Sequence, residues 1–254
     1  MRFEKWQALG NDYLIVEADG VDPEQVRALC DRHRGVGADG VLALAPADEA
    51  GYVARLRIFN PDGSEAELSG NGARQALLYL REHGWTDATN YSIQTIAGEI
   101  RTTITGEHSC RMQMGRARPR FAGEVGGLAF QHITIGNPQT AIHIRSREEL
   151  EALDLAEVGP PIENAEPFPH RTNVSFWTEL APDRIRARIF ERGVGETMSS
   201  GTGASGAAVA HVMRGGDSPV TVELDGGELE VDVDDALHVQ LTGWAVPVFR
   251  GELS

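Results

Sequence analysis

The sequence predicts an α+β fold of two pseudo-symmetric domains, and the main observation behind this prediction is a repeated loop. Ser69-Gly70-Asn71-Gly72-Ala73 lies in the first half of the 254-residue chain, and Ser200-Gly201-Thr202-Gly203-Ala204 lies in the second. Each loop opens an apolar segment with helical spacing and is followed by a hairpin pattern, so strand, loop, helix and hairpin recur in one order. We therefore expect two homologous domains that meet at a cleft into which both helix N termini point.

The elements of the first half follow from local signals. Asp22 is placed to cap a helix that has Pro23 in its first turn and that runs through Cys30. Asn60-Pro61-Asp62-Gly63 is a strong turn signal that ends an alternating strand. The other predicted elements are a strand over 3–16 interrupted at 10–12, a strand over 52–59, a helix over 73–80, and a hairpin of strands 91–96 and 100–104.

The second half repeats this plan. Its helix over 204–212 is small and apolar on nearly all sides, which is typical of a helix buried against a sheet. The other predicted elements are a strand over 132–135, a helix beginning in 146–153, a strand over 185–190, and a hairpin of strands 220–224 and 229–233. We place the boundary between the domains in the stretch 116–127. The N-terminal domain is then 1–120, with 245–254 as a candidate to complete it, and the C-terminal domain is 121–244.

Composition and charge argue against nucleic-acid and membrane partners. A formal net charge of −15 argues against a nucleic-acid partner, because phosphate binding needs a basic face. No apolar run approaches membrane-spanning length, and residues 1–6 do not read as the start of a signal peptide. We expect a cytoplasmic protein with no membrane partner, and a homodimer is compatible with the sequence.

The reactive residues give no sign of a cofactor or a metal. The two cysteines, Cys30 and Cys110, form neither a disulfide framework nor a metal knuckle, and Cys30 fits a buried helical position. The histidines are scattered, so we expect no metal site. Lys5 is the only lysine and no P-loop motif is present, so a pyridoxal-phosphate or P-loop enzyme is not indicated. We expect chemistry without a cofactor.

The repeated loop allows three interpretations. Residues 201–206 formally fit the dinucleotide fingerprint, but a polar loop separates them from the preceding strand and Gln75 breaks the pattern in the first copy. Each serine could be only a helix N-cap. The interpretation that we favour uses both helix N termini, because their free N–H groups and dipoles hold anions. One of Ser69 and Ser200 would then remove a proton from one face of a carbon acid, and the other would deliver a proton to the opposite face.

Several motifs together resemble those of the diaminopimelate epimerase family, in order and spacing from Asn11 to Gly203. In the first half these are the segments 9–12, 34–40, 60–65 and 69–74. In the second half they are 136–138, 172–174, 191–197 and 200–203. The resemblance implies two domains, each a mixed β-sheet wrapped around a central helix, and a cofactor-independent two-base epimerisation of LL- to meso-diaminopimelate in lysine biosynthesis.

The resemblance also implies roles for individual residues. Residues that would hold the amino and carboxylate groups at the substrate's far end are Asn11, Asn60, Asn137, Asn173, Glu191 and Arg192. Residues that would offer backbone N–H groups to the carboxylate at the reacting carbon are Gly70, Asn71, Gly201 and Thr202. An arginine can bind a carboxylate bidentately, while asparagines and a glutamate suit an ammonium group. The expected ligand is a small zwitterionic amino acid.

The sequence departs from the family at the two acid/base positions. The resemblance implies cysteines where Ser69 and Ser200 stand, and a histidine where Gln139 stands. Serine is a far weaker acid than cysteine and acts as a base only beside another base, and no histidine or lysine motif supplies one in either loop. Three explanations are open: a natural relative with a changed reaction, a protein that binds without turnover, or cysteine-to-serine substitutions that trap a complex. Gln139 favours the natural relative.

Our leading hypothesis from the sequence is an amino-acid epimerase or racemase with Ser69 and Ser200 at the catalytic positions. A rival on the same fold is an isomerase or tautomerase of another small carbon acid. A rival of a different class is a catalytically silent amino-acid-binding protein. The complete set of substrate-holding residues favours a diaminopimelate-like ligand over a carboxylate-only one.

Overall fold

The computed structural model describes residues 1–253, which contain five helices and eighteen strands. The helices are α1 (Pro23–Cys30), α2 (Gly70–Glu82), α3 (Arg147–Glu151), α4 (Leu155–Glu163) and α5 (Gly201–Met213). The first nine strands are β1 (Arg2–Ala8), β2 (Asn11–Glu17), β3 (Val41–Ala45), β4 (Arg55–Phe59), β5 (Glu65–Ala66), β6 (Asn90–Thr95), β7 (Gly98–Gly106), β8 (Ser109–Arg116) and β9 (Arg118–Val125). The others are β10 (Leu128–Ile135), β11 (Asn137–His143), β12 (Asn173–Ala181), β13 (Arg184–Glu191), β14 (Gly195–Thr197), β15 (Val220–Leu224), β16 (Gly227–Val233), β17 (His238–Trp244) and β18 (Val246–Glu252).

The chain divides into two compact units. The N-unit is Met1–Met112 together with the chain from Gly243 onwards, and the C-unit is Gln113–Thr242. The chain passes from one unit to the other within β8 and again within β17. The first division lies between Met112 and Gln113, upstream of the predicted stretch 116–127.

The two units have the same order of strand pairing. In the N-unit, β1 and β2 form an antiparallel hairpin, β2 pairs parallel with β3, β3 antiparallel with β4, and β4 parallel with β6. In the C-unit the same relations link β10 to β11, β11 to β12, β12 to β13, and β13 to β15. An outer antiparallel strand follows the same rule, because β18 pairs with β1 and β9 pairs with β10. The predicted internal repeat is confirmed.

One long helix is central to each unit. In the N-unit, α2 packs on β1 to β4, and its residues from Asn71 to Leu80 are buried. In the C-unit, α5 packs on β10 to β13, β15 and β16, and its residues from Gly201 to His211 are buried. Such burial explains why α5 is apolar nearly all round. The predicted architecture, a mixed sheet around a central helix in each half, is therefore confirmed.

Shorter helices cover other parts of each sheet. Asp22 caps α1 as predicted, and its carboxylate accepts hydrogen bonds from the N–H groups of Glu24 and Gln25. Val26 and Leu29 of α1 pack on apolar residues of β2 and β3. In the C-unit, apolar residues of α3 and α4 pack with those of β10 to β13.

Several element boundaries differ from the sequence predictions. Both central helices begin three residues earlier than predicted, directly after Ser69 and Ser200, because each serine side chain caps a glycine-containing first turn. Asn137 and Pro138 follow the predicted strand 132–135 and begin β11, where Pro138 lies opposite Thr134. The elements that were not predicted are the strands β3, β5, β8, β9, β11, β12, β14, β17 and β18 and the helix α4.

None of the helices within residues 1–253 is long and apolar enough to cross a membrane.

Candidate active site

Ser69 caps α2 and is held by two hydrogen-bond donors. Its backbone is extended, with φ −131° and ψ 118°. Its Oγ accepts a hydrogen bond from the backbone N–H of Gly72 at 3.0 Å, which is the usual capping bond. The phenol of Tyr13 donates a second hydrogen bond to the same oxygen at 3.2 Å. Because Tyr13 lies on β2, the Ser69 hydroxyl is tied both to its own helix and to the sheet beneath it.

Ser200 caps α5 in the same backbone conformation, with φ −144° and ψ 123°, but its side chain has a different partner. Its Oγ accepts a hydrogen bond from the backbone N–H of Gly203 at 3.3 Å. Its hydroxyl also hydrogen-bonds the carboxylate of Glu191. Thr197 Oγ1 donates a further hydrogen bond to Glu191 Oε1 at 2.9 Å. The serine of the C-unit therefore has a carboxylate within hydrogen-bond reach.

The environment of Glu191 shifts the ionisation of its carboxyl. Burial raises the pKa of its carboxyl above the ordinary value, because the charged form loses hydration, while the hydrogen bonds from Thr197 and Ser200 act in the opposite direction. A raised pKa makes the carboxylate a better proton acceptor near neutral pH. The resemblance assigned Glu191 to the far end of the substrate, but here the carboxylate contacts the acid/base position itself.

Two predicted asparagines of the N-unit lie at the ends of strands. Asn11 begins β2, and its side-chain Nδ2 donates a hydrogen bond to Asp39 Oδ2 at 2.8 Å. Asn60 follows β4, and its Nδ2 donates to Ser64 Oγ at 3.0 Å, within the predicted turn. Asn60 is therefore fixed by a local hydrogen bond and Asn11 by one to a residue 28 positions away, and the two asparagines share no hydrogen bond.

A network of ion pairs supports Asn11. Asp12 lies 2.7 Å from Lys5 Nζ and accepts bonds from both terminal nitrogens of Arg32 at 3.2 and 2.8 Å. Asp39 also accepts from Arg32, at 2.7 Å. Burial by itself raises the pKa of Asp12, but the hydrogen bonds and charges of Arg32 and Lys5 outweigh it and hold that pKa below its ordinary value. Asn11 is thus anchored to a charged framework in which Lys5 and Asp12 are largely buried and Arg32 is exposed.

Gly70 and Asn71 form the first turn of α2, and a buried arginine lies behind them. Arg74 Nη2 donates a hydrogen bond to Asn71 Oδ1 at 2.7 Å, and its Nε donates to the carbonyl oxygen of Trp244 at 2.9 Å. Arg74 is 0% exposed, and burial lowers its pKa to about 10. The arginine fixes the Asn71 side chain. N–H groups of a helix's first turn lie outside the helical hydrogen-bond ladder.

The two central helices differ at the sixth residue after the capping serine. In α2 this residue is Gln75, which is fully buried and donates from Nε2 to the Asn11 carbonyl oxygen at 3.0 Å. In α5 it is Gly206, and a Cβ there would lie 3.0 Å from Cβ of Gln139. The helix of the C-unit therefore leaves room for a glutamine that comes from a strand.

Gln139 connects two predicted binding residues of the C-unit. Its Nε2 donates to Asn137 Oδ1 at 2.7 Å and to Thr202 Oγ1 at 3.0 Å. Asn137 Nδ2 also donates to Thr202 Oγ1, at 3.4 Å. Thr202 follows Gly201 in the first turn of α5, and both are buried. The structure therefore brings Asn137 and Thr202 together through the residue that the family resemblance would make a histidine.

Asn173 and Arg192 form a second connected pair in the C-unit. Asn173 is buried; its Nδ2 donates to the carbonyl oxygen of Pro138 at 3.0 Å, and its Oδ1 accepts from the backbone N–H of Arg192 at 2.9 Å. Arg192 is exposed, and its Nη1 donates to the carbonyl oxygen of His170 at 3.0 Å. Asn173 therefore fixes the backbone at Arg192 and leaves the guanidinium at the surface.

Sequence reasoning gave no role to several residues that contact this set, among them Tyr13, Arg74, Gln75 and Thr197. Arg74, Gln75 and Thr197 lie within six residues of a capping serine, so helical and loop spacing could have found them. Tyr13 lies 56 residues from Ser69, and no local signal marks it.

Cysteines and metal-binding groups have no part in this arrangement. Cys30 and Cys110 are buried, and burial raises the pKa of each thiol to about 11. The buried position predicted for Cys30 is confirmed. Within the described chain, no group of three or more His, Cys, Asp and Glu side chains could hold a metal ion.

A family model and two similar relatives point to the same protein family. A family model described as diaminopimelate epimerase matches residues 3–119 and 132–248. A diaminopimelate epimerase of Synechococcus sp. strain JA-3-3Ab is 40% identical, over 99% of this chain and 97% of that protein. A diaminopimelate epimerase of Pelotomaculum thermopropionicum is 39% identical, over 99% of this chain and 98% of that protein.

Solved structures give the fold. A phenazine biosynthesis protein of the PhzF family from Bacillus anthracis superposes with a TM-score of 0.76 at 21% identity, over 100% of this chain and 99% of that one. The two-repeat α+β architecture is therefore found in solved proteins of quite different sequence.

Proposed function

Because the chain belongs to the diaminopimelate epimerase family, we propose that it inverts an α-carbon of diaminopimelate, with Ser69 and Ser200 at the two acid/base positions. The family and its relatives are isomerases of the epimerase and racemase type. The observation that carries the proposal for this chain is the hydrogen bond between Ser200 and Glu191. Serine needs an adjacent base, and this carboxylate supplies one.

The proposed reaction uses two helix N termini. Glu191 accepts the Ser200 proton while Ser200 Oγ takes the α-proton of the substrate, and Ser69 delivers a proton to the opposite face of the carbon. The substrate carboxylate is held by first-turn N–H groups at Gly70, Asn71, Gly201 and Thr202. A helix N terminus favours the carboxylate and the negative charge that develops next to it.

The far end of the substrate is held by the remaining polar residues. The proposed set is Asn11, Asn60, Asn137, Asn173 and Arg192. Its support is chemical: the exposed Arg192 guanidinium suits a carboxylate, and asparagine carbonyl groups suit an ammonium group. A ligand with both groups at its far end, such as diaminopimelate, fits this set better than a simple dicarboxylate.

The proposal is tested by α-proton exchange. The chain is incubated with LL-diaminopimelate in deuterated water, and exchange and inversion are followed by NMR. We expect exchange and inversion in the wild type, and we expect the rate of inversion to fall about 10²-fold or more in Ser200→Ala and in Ser69→Ala, the size of a lost acid/base group.

A matched control separates catalysis from capping. Ser146 caps α3 and accepts a hydrogen bond from the Glu149 N–H at 3.2 Å. If the serines only cap helices, Ser69→Ala, Ser200→Ala and Ser146→Ala each lose about 1 kcal/mol of stability and none of them loses inversion. Binding without exchange in the wild type would mark a silent binding protein. Exchange of a different carbon acid, with none of diaminopimelate, would mark the rival isomerase.

Cysteine at both serine positions is a second check on the substrate. If the rest of the site fits diaminopimelate, the double variant Ser69→Cys/Ser200→Cys should epimerise it at least as fast as the wild type, because a thiol ionises far more easily than an alcohol.

A further inference from the structure

The hydrogen bonds at Ser69 make its oxygen an unsuitable base. A hydroxyl oxygen has two lone pairs and one hydrogen to offer. At Ser69 the N–H of Gly72 and the O–H of Tyr13 occupy both lone pairs, at 3.0 and 3.2 Å. The hydroxyl hydrogen of Ser69 is then the group that can form a hydrogen bond with a ligand. Ser69 is arranged to give a proton rather than to take one.

Ser200 has the opposite arrangement. Its oxygen accepts one long bond, from the Gly203 N–H at 3.3 Å, and its hydrogen is engaged by the Glu191 carboxylate. A lone pair is therefore available, and a partner is in place to receive the serine proton. Ser200 is arranged to take a proton from a ligand.

Tyr13 is held firmly in its position. It lies on β2 opposite Trp6 of β1, and its side chain is buried. Gly40 lies against the ring, where a Cβ would come within 2.6 Å of Tyr13 Cε1. The absence of a side chain at Gly40 therefore allows the ring to lie where its hydroxyl reaches Ser69.

We infer that Tyr13 is a positioning residue that makes Ser69 the proton donor of the pair and supplies the proton that Ser69 gives away. The inference rests on the proposed function and extends it, because it gives the two serines unequal roles. Ser69 and Tyr13 form the acid pair, and Ser200 and Glu191 form the base pair.

Proton transfer from Ser69 to the substrate is followed by proton transfer from Tyr13 to Ser69. The Ser69 O–H bond breaks, the substrate carbanion uses its electron pair to form a new C–H bond, and the O–H electron pair stays on Ser69 Oγ. The Tyr13 phenol then gives its proton to that alkoxide and becomes a phenolate. A phenol ionises near pH 10 in water, well below an alcohol, so the charge moves to the more stable anion. After product release, water reprotonates this pair through the half-buried Ser69 and accepts the proton held by Glu191.

The test compares inversion with exchange. Tyr13→Phe removes one hydroxyl and keeps the ring, and the variant is assayed in deuterated water from the LL- and meso-isomers separately. From the isomer whose α-proton meets Ser200, we expect inversion to fall about 10²-fold, as for a lost acid/base contribution. Exchange without inversion should continue, so the ratio of exchange to inversion rises. KM should change little, because Tyr13 acts through Ser69.

Tyr91→Phe is the matched control. Tyr91 is also buried in the N-unit, and its phenol donates to the carbonyl oxygen of Leu77 at 2.5 Å. We expect its exchange-to-inversion ratio to match the wild type. An unchanged ratio in Tyr13→Phe, with an active wild type, would overturn the role of Tyr13 and leave the proposed function intact. A wild type without any exchange would overturn the proposed function, and the Tyr13 role with it.

A second measurement keeps Tyr13 in place and changes only the acidity of its phenol. A fluorinated tyrosine, with a more acidic phenol, replaces all four tyrosines of the chain. If Tyr13 must be protonated to supply Ser69, the alkaline fall in inversion rate moves to lower pH. The same label in the Tyr13→Phe background should not move it. An alkaline fall at the same pH with and without fluorine would contradict the inference.

Discussion

The oxygen of Ser69 accepts hydrogen bonds from Tyr13 and Gly72, whereas the hydroxyl of Ser200 meets the carboxylate of Glu191. Both serines cap a thirteen-residue helix with the same extended backbone. The repeated sequence therefore fixes the position of each hydroxyl but not its chemistry. Residues outside the repeated loops decide which hydroxyl can give a proton and which can take one.

The side chain of Glu191 governs the pH dependence of both activity and stability. Its pKa is raised by burial, so activity of the wild type should fall as the pH drops through that raised value, because the base becomes protonated. A carboxyl with a raised folded-state pKa contributes stability fully below its unfolded pKa and loses it as the pH rises through the folded value. We therefore expect Glu191→Gln to lose about 10²-fold or more in rate and yet to melt higher than the wild type at neutral pH.

The advantage in melting temperature should vanish in acid, where Glu191 is uncharged in both states. Glu166→Gln, an exposed glutamate of the same unit, is the control and should alter neither the rate nor the melting temperature. Melting curves between pH 4 and pH 8, with rates over the same range, measure both effects. A Gln variant that is less stable at every pH would show that the carboxylate form is the stabilising one.

Individual site residues could be predicted from sequence only where the motif itself is local. Ser69, Ser200 and the first-turn glycines follow from the repeated loop, because capping is a local interaction. The base next to Ser200 was missed, although Glu191 was singled out, because a strand, β14, folds back to bring it there. Long-range pairing of this kind leaves no periodic signal.

At the scale of elements, Asp12 joins four separate segments. It contacts Lys5 on β1, Arg32 after α1 and Asp39 before β3, and it lies on β2 itself. Asp12→Asn removes a largely buried charge that pairs with Lys5 and Arg32. We therefore expect the free energy of unfolding to fall by about 3 kcal/mol or more at neutral pH, as measured by urea unfolding.

The stability lost in Asp12→Asn should become smaller as the pH falls. The pKa of Asp12 is lowered in the folded state, so its stabilisation is present above the unfolded value of about 3.9 and disappears as the pH falls through the folded value. The gap between the wild type and Asp12→Asn should narrow in acid. Asp87→Asn, which breaks an exposed ion pair with Arg81, should cost no more than about 1 kcal/mol at any pH. Equal losses in the two variants would contradict the importance of the network.

The elements that could be predicted are those with amphipathic or strongly punctuated sequences. Pro23 after Asp22 marks the start of α1, and the hairpin of β15 and β16 is marked by glycines. Strand β9 could not be predicted, because seven of its eight residues are exposed and give no alternation of buried and exposed positions. Asn137-Pro138 is typical of a turn, yet it begins β11 because the parallel pairing of β11 with β12 starts only at Gln139.

At the scale of the whole molecule, the formal net charge of −15 sets a salt dependence. Self-repulsion of this charge opposes the compact state, and salt screens it within about 10 Å at 0.1 M and about 3 Å at 1 M. We expect the melting temperature to rise between 0.1 M and 1 M KCl, as measured by calorimetry.

The control reduces the charge without touching a described contact. Glu49, Glu166 and Asp235 are exposed, and their replacement by lysine should flatten the salt dependence. A melting temperature that falls with salt in the wild type would mean that attractive ion pairs, such as those of Asp12, outweigh the general repulsion.

The repeated topology was the most predictable property of the molecule. The same sequence of parallel and antiparallel pairings appears in both units, and each central helix follows the same short strand. The division between the units was less predictable, because β8 and β17 continue through it and no turn or composition change marks it.

The pairing of β18 with β1 has a consequence for synthesis of the chain. β1 leaves the ribosome long before its antiparallel partner, Val246–Glu252. Until that partner emerges, the nascent N-unit carries an open edge at β1, whereas the partner strand of β10, which is β9, emerges just before β10. The C-unit can therefore mature while the first-made half still awaits its last strand, and the order of folding runs against the order of synthesis.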